Sequence, residues 1–148
     1  LSILTAGVSA MPVIPGIGVN LELMRYRYRI WQFAILNVDA ILGSQSGDEK
    51  YAIGGGIMGF GAKNPLGSDG SREIGFLVYP LWYGRAVGTD KTESTCYGQA
   101  VVYFRYNWKD WHFELGGRVP LYWYTETEYE NGPYGSAVPA SFYLGAGF

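Results

Sequence analysis

In the segments after Gly98 the apolar residues recur at every second position, and this period of two constrains the fold more than any other feature of the chain. Successive side chains on a strand point to opposite faces, whereas a helix repeats every three to four residues. Helical spacing is nowhere sustained. In Gly98 to Trp108, Ala100, Val102, Phe104, Tyr106 and Trp108 share one face, while Gln99, Tyr103, Arg105 and Asn107 share the other with Val101. In Trp111 to Tyr124 the apolar face holds Trp111, Phe113, Leu115, Val119, Leu121 and Trp123, opposite His112, Glu114, Arg118, Tyr122 and Tyr124. The two segments meet at Asn107 to Asp110, which predicts a tight antiparallel hairpin. A third, Ala140 to Phe148, aligns Ala140, Phe142, Leu144, Ala146 and Phe148. Five more strands are expected at Leu1–Ala10, Ile17–Arg27, Ile30–Gly43, Lys50–Ala62 and Glu73–Val87, giving eight, although alternation is poor in Ile74 to Trp82, where both faces are apolar.

Such a chain closes with its oily faces either inward, as in a soluble barrel, or outward against lipid around a polar lumen. Composition favours the second. Charged residues are only 16% of the 148 residues and aromatic ones 17%, and the polar faces carry Gln, Asn, Tyr, Gly and single opposite charges. A soluble barrel needs many Lys and Glu on its outside. Trp111 and Trp123 lie on one face twelve residues apart, a separation on the order of 30 Å along a tilted strand, which matches two interfacial aromatic girdles. Tyr106, Trp108 and the terminal Phe148 are expected to join them as membrane-interface aromatics. The longest stretch without charge, Leu1 to Leu21, contains Pro12 and Pro15 and is no helical span. Any secretory signal is expected to have been removed before Leu1. A net charge of -2 gives no field for collecting phosphates, so nucleic acid is not an expected partner. One cysteine, Cys96, and one histidine, His112, leave little for a disulfide, a metal centre or a thiol nucleophile. No metal, cofactor or catalytic residue is assigned.

With both termini at the end of the short turns, those turns fall near Arg25–Ile30, Ala62–Glu73 and Asn107–Asp110. The opposite connections fall near Met11–Gly16, Ser44–Lys50, Gly88–Gly98 and Thr125–Val138. The expected fold is all-β: one domain over residues 1–148, an eight-stranded antiparallel up-and-down transmembrane barrel. Its pattern, and the aromatic-ended last strand Phe142-Tyr143-Leu144-Gly145-Ala146-Gly147-Phe148, resemble the small eight-stranded outer-membrane barrels of Gram-negative bacteria, the OmpA, OmpX and OmpW type. That resemblance implies an outer-membrane location, contact with outer-membrane lipid, handling by the barrel-assembly machinery, and other envelope proteins as partners.

The predicted lumen face gathers Asn20, Glu22, Asn37, Asp39, Arg105, His112, Glu114 and Arg118. Eight strands enclose only enough room for side chains, so these form either a salt-bridged plug, each charge paired because an unpaired one is costly, or a proton or ion path. A catalytic pair of His112 and Glu114 has no recognisable nucleophile beside it. Pro80 and Pro120 fall inside strands and are expected to mark bulges or missing ladder bonds. In this they resemble the lipid A palmitoyltransferase barrel, whose proline-weakened strand pairs admit lipid; apolar residues on both faces of Ile74 to Tyr83 would then line an acyl pocket. Arg25, Arg27 and Arg29 cluster at one turn, where they suit anionic headgroups. Glu126, Glu128 and Glu130 are expected in the opposite loop. The expected role is structural or interactive, through loops, rim or outer wall. The alternatives are a lipid-modifying acyltransferase or deacylase and a soluble lipocalin-like carrier.

Overall fold

The structure, a computed structural model, describes residues 1–11, 16–45, 48–87, 92–128 and 141–148. Eight strands close into one antiparallel barrel in sequence order: β1 (Ser2–Met11), β2 (Gly16–Tyr28), β3 (Trp31–Gln45), β4 (Asp48–Leu66), β5 (Arg72–Val87), β6 (Thr92–Trp108), β7 (Trp111–Glu128) and β8 (Ser141–Gly147). β8 closes the ring on β1 through pairs from Thr5↔Gly147 to Ala10↔Phe142. Near the seam the Ile3 amide donates to the Phe148 carbonyl at 2.8 Å.

Most strands run longer than the alternation predicts. β4 and β5 pair as far as Leu66↔Arg72, which reduces the Ala62–Glu73 connection to the five residues Gly67 to Ser71. Its chain reversal uses positive φ at Gly67 and Gly70. At the other end β3 and β4 pair to Gln45↔Asp48, and β5 and β6 to Val87↔Thr92. Most of the two loops expected at Ser44–Lys50 and Gly88–Gly98 is therefore strand. Glu126 and Glu128, expected in a loop, pair with Ser94 and Thr92 in the β6·β7 ladder, and Glu130 lies outside the described residues. The ladders extend because polar turn residues also satisfy their backbone groups by pairing, and composition alone marks only where apolar alternation stops.

The alternation also has a common break. Successive inward positions are normally two residues apart, but β1 to β5 each insert one extra residue at the same level. The outward pairs are Ile3–Leu4, Leu23–Met24, Ile35–Leu36, Ile57–Met58 and Pro80–Leu81, between inward residues such as Glu22 and Arg25 or Tyr79 and Trp82. Because neighbours kink together, β1 to β4 stay in register across the break. Met24 and Met58 turn it with φ of 55° and 56°, a left-handed conformation uncommon for non-glycine residues. β6 has no matching insertion, so the β5·β6 ladder shifts between Tyr79 and Trp82. On the other side of β6 the β7 ladder shifts at Gly98/Gln99, where Gln99 pairs with Pro120 and Gly98 with Tyr122. Both prolines thus sit at bulges that flank one point on β6, where a missing N–H interrupts the ladder least.

Candidate functional site

Burial is inverted relative to a soluble domain. Among the described residues the buried set holds fifteen polar or charged residues against seven apolar ones: Ala34, Leu77, Tyr79, Trp82, Val101, Tyr103 and Tyr143. Large apolar residues are exposed on the outside of every strand, from Val19, Phe33 and Ile57 to Phe104, Leu115 and Leu144.

All eight residues of the predicted lumen face, Asn20, Glu22, Asn37, Asp39, Arg105, His112, Glu114 and Arg118, are buried inside the barrel. They fall into three groups. The largest centres on Glu114, which is 1% exposed. It accepts from Arg25 Nη1 and Nη2 at 2.8 and 3.0 Å, from Arg105 Nε at 2.8 Å, and from the Tyr143 hydroxyl at 2.5 Å. Arg25 holds Glu22 by a fork, Nε and Nη2 donating to the two carboxylate oxygens at 2.6 and 2.7 Å. Glu22 also accepts from the Tyr79 hydroxyl at 3.1 Å. Arg105 Nη1 donates to the Ser2 hydroxyl at 2.9 Å. Such bidentate, charge-assisted bonds are the strong ones, and in this water-poor interior they fix both partners.

The second group stands further from β1, around Glu73. Arg27 pairs with it directly, Lys63 lies 3.5 Å away and Arg105 3.8 Å. Tyr103 bridges the two groups: its hydroxyl donates to Gln32 Oε1 at 2.6 Å, and its ring lies under the Arg25 guanidinium at 4.6 Å. Gln32 in turn donates to the carbonyls of Ala62 and Phe76. The third group lies toward the other end. There Arg118 pairs with Asp39 and lies over the Tyr143 ring at 4.6 Å, and Asn20 donates to Asn37 at 2.8 Å.

His112 is not joined to Glu114. Its Nε2 is 2.8 Å from the Thr5 hydroxyl, and Glu114 is taken up by the two arginines and Tyr143. Thr5 and His112 are 2% and 4% exposed, so a hydroxyl does lie beside the imidazole, and both groups are closed off from solvent in this structure. The acyl pocket expected along Ile74 to Tyr83 is filled as well. Leu77, Tyr79 and Trp82 point inward, fully packed with Val101 and Tyr103, and the Tyr79 and Trp82 rings meet edge to face at 5.8 Å. Among the described residues no group of His, Cys, Asp and Glu could hold a metal ion. The side chain of Cys96 lies outside the described residues.

Arg25, Glu73, Tyr79 and Tyr143 carry much of this network and escape the sequence reading. Arg25 escapes because strict alternation from Leu23 puts it on the oily face; the extra residue at Met24 turns it inward. Arg25 and Arg27 are therefore interior ion-pair partners and not headgroup contacts, and only Arg29 of that cluster stays exposed. The tyrosines are marked by glycines. A Cβ at Gly116 or Gly75 would collide with the Tyr143 or Tyr103 ring, so glycine on the neighbouring strand makes the room each ring fills.

Of the predicted interface aromatics, Tyr106, Trp108, Trp111 and Phe148 point outward and lie together at the short-turn end, with Trp111 edge-on to Phe148 at 5.9 Å. Tyr26, Tyr28, Trp31 and Phe33 continue that band on β2 and β3. Trp123 pairs with Tyr97 in the ladder, and its side chain lies outside the described residues. No protein-family model matches this chain, and no curated protein or solved structure is significantly similar to it.

Proposed function

We propose that the chain is an integral outer-membrane barrel of a Gram-negative envelope, acting as a structural or interaction protein through its loops, rim or outer wall, with a plugged lumen and no open pore. The observation that carries this reading is the inverted burial: charges paired inside, large apolar side chains outside on all eight strands. In water that wall would be a continuous apolar patch far larger than a monomer tolerates. Against acyl chains it costs nothing, and closure leaves no unpaired strand edge in lipid. On β7 the outward residues Trp111, Phe113, Leu115, Val119 and Leu121 are all about half exposed. This run of eleven residues rises on the order of 25 Å on a strand tilted by about 40°, the height of an outer-membrane apolar band.

The same inversion weighs against a lipocalin-like carrier, whose interior must be apolar to hold its ligand. The sealed Thr5 and His112 and the filled space at Trp82 weigh against a lipid-modifying enzyme. The test is extraction from envelopes followed by electrophoresis of boiled and unboiled samples. A requirement for detergent and a mobility shift on boiling are expected. Solubility without detergent and a single mobility would overturn the proposal.

A further inference from the structure

Two of the short turns share an unusual build. β2 and β3 are joined through Tyr28-Arg29-Ile30-Trp31, and β6 and β7 through Trp108-Lys109-Asp110-Trp111, each with two central residues between the outermost strand pair. In both, φ is positive at the first central residue, 52° at Arg29 and 55° at Lys109. A type II′ hairpin assigns this position to glycine. A non-glycine residue there costs stability, yet both turns place a cation at it. Each cation lies over the aromatic residue before it, Arg29 5.4 Å from the Tyr28 ring centre and Lys109 5.6 Å from that of Trp108. Both are exposed, and neither forms an ion pair among the described residues. The four flanking aromatics Tyr28, Trp31, Trp108 and Trp111 belong to the outward band at that end.

Resting on the membrane reading above, we propose that Arg29 and Lys109 form a headgroup-binding rim that takes the phosphates of anionic phospholipids in the leaflet at the short-turn end. The backbone strain recurs in two unconnected turns, and in each it projects a cation just beyond an interfacial aromatic. That is the depth at which lipid phosphates lie, and the ring holds the cation there without neutralising it. Asp110, exposed beside Lys109, opposes the same anion. Ile30 beside Arg29 does not, so Arg29 carries the larger share.

The test is urea unfolding of the full chain refolded into vesicles of phosphatidylcholine alone or containing phosphatidylglycerol. Anionic lipid is expected to raise the folding equilibrium constant by about fivefold through Arg29 and by less through Lys109. Arg29→Gly with Lys109→Gly should lose that increment while remaining at least as stable as the parent in phosphatidylcholine, because glycine relieves both turns. Arg29→Gln with Lys109→Gln keeps the side chains and should lose the increment without that gain. Inorganic phosphate added to phosphatidylcholine vesicles should change nothing; an equal rise there would overturn the lipid in favour of a free-phosphate site. An increment unchanged in the double variants overturns this proposal alone, whereas a parent chain that enters neither vesicle overturns the membrane reading with it.

Discussion

Replacing Glu114 tests whether the lumen network holds the barrel together. Its carboxylate is the shared anion of two guanidiniums, Arg25 and Arg105, both at most 1% exposed, and it also takes the Tyr143 hydroxyl. In this cluster Arg25, Arg27, Lys63 and Arg105 face Glu22, Glu73 and Glu114, four cations against three carboxylates. Loss of Glu114 leaves four against two, with Arg105 left with a bond to Ser2, a 3.8 Å approach to Glu73 and the Tyr103 ring 5.6 Å away. Breaking a buried pair from one side costs about 3–5 kcal/mol, since the charge left behind stays desolvated. Glu114→Gln, which keeps an accepting oxygen, belongs near the lower figure, and Glu114→Ala near the upper. The measurement is urea unfolding in detergent micelles or vesicles, followed by tryptophan fluorescence, with the loss read from the midpoint at constant slope. Added salt should leave the loss nearly unchanged, because buried pairs are screened little. Glu114→Gln combined with Arg105→Gln should recover part of it by removing the orphaned charge. A loss under about 1 kcal/mol, or one abolished by salt, would mean that the guanidiniums are solvated and that the network does not stabilise the barrel.

Leu115 lies mid-height on the outer face of β7 and is 56% exposed; Leu115→Arg should cost about 2–4 kcal/mol in vesicles if that face meets the bilayer centre, and almost nothing if it meets water. Gly116→Ala should cost about 1–3 kcal/mol in the same unfolding assay, because its methyl would collide with the Tyr143 ring, and Tyr143→Leu in the same chain should relieve part of that cost. In the turn Gly67 to Ser71, bonds from the Ser71 hydroxyl and then its amide hold the Asp69 carboxyl below the ordinary carboxylate range. A depressed folded-state value means that this contribution is present above the unfolded-state pKa and is lost as pH falls through the folded-state one. An NMR titration should place Asp69 below an ordinary aspartate, and Ser71→Ala should return it upward.

The clean strands were legible because their alternation is strict. On β6, β7 and β8 every outward apolar residue named from sequence and described in the structure points outward, as Phe104, Phe113 and Leu144 do. Glu22, Asp39, Arg105 and Glu114 were legible as an inward set for the same reason. The common kink was not. At Leu23–Met24 and Ile57–Met58 two apolar residues follow one another, and a sequence reader cannot tell a swapped face from a strand end, because the signal is the matched insertion in neighbouring strands. Nor could partners be read: that Arg25 reaches Glu114, 89 residues away, depends on which strands face each other across the lumen. Thr5 beside His112, on strands separated by β8, was hidden for the same reason.

The kink and the network together explain how an inverted barrel keeps its register. Slippage of one strand by a single residue exchanges its faces. In a soluble barrel that exposes oil; here it would turn Arg25 or Glu114 toward the apolar wall while a partner on another strand stayed inside. The cost would then be several unpaired buried charges, each worth more than a lost apolar contact. Three of the ion pairs join strands that are not neighbours: Arg25 on β2 to Glu114 on β7, Arg27 on β2 to Glu73 on β5, and Arg118 on β7 to Asp39 on β3. Ladder bonds fix each strand only to the next, and a whole ring of ladders can in principle shift together. Cross-lumen pairs forbid that motion, and the kink shared by β1 to β5 forbids it again, since a shifted strand would set its extra residue against a partner without one. If this is so, opening two cross-lumen pairs at once, with Glu73→Gln and Asp39→Asn, should lower the slope of the unfolding curve as well as its midpoint, as alternative registers become populated. A midpoint change at constant slope would show that the ladders alone define the register.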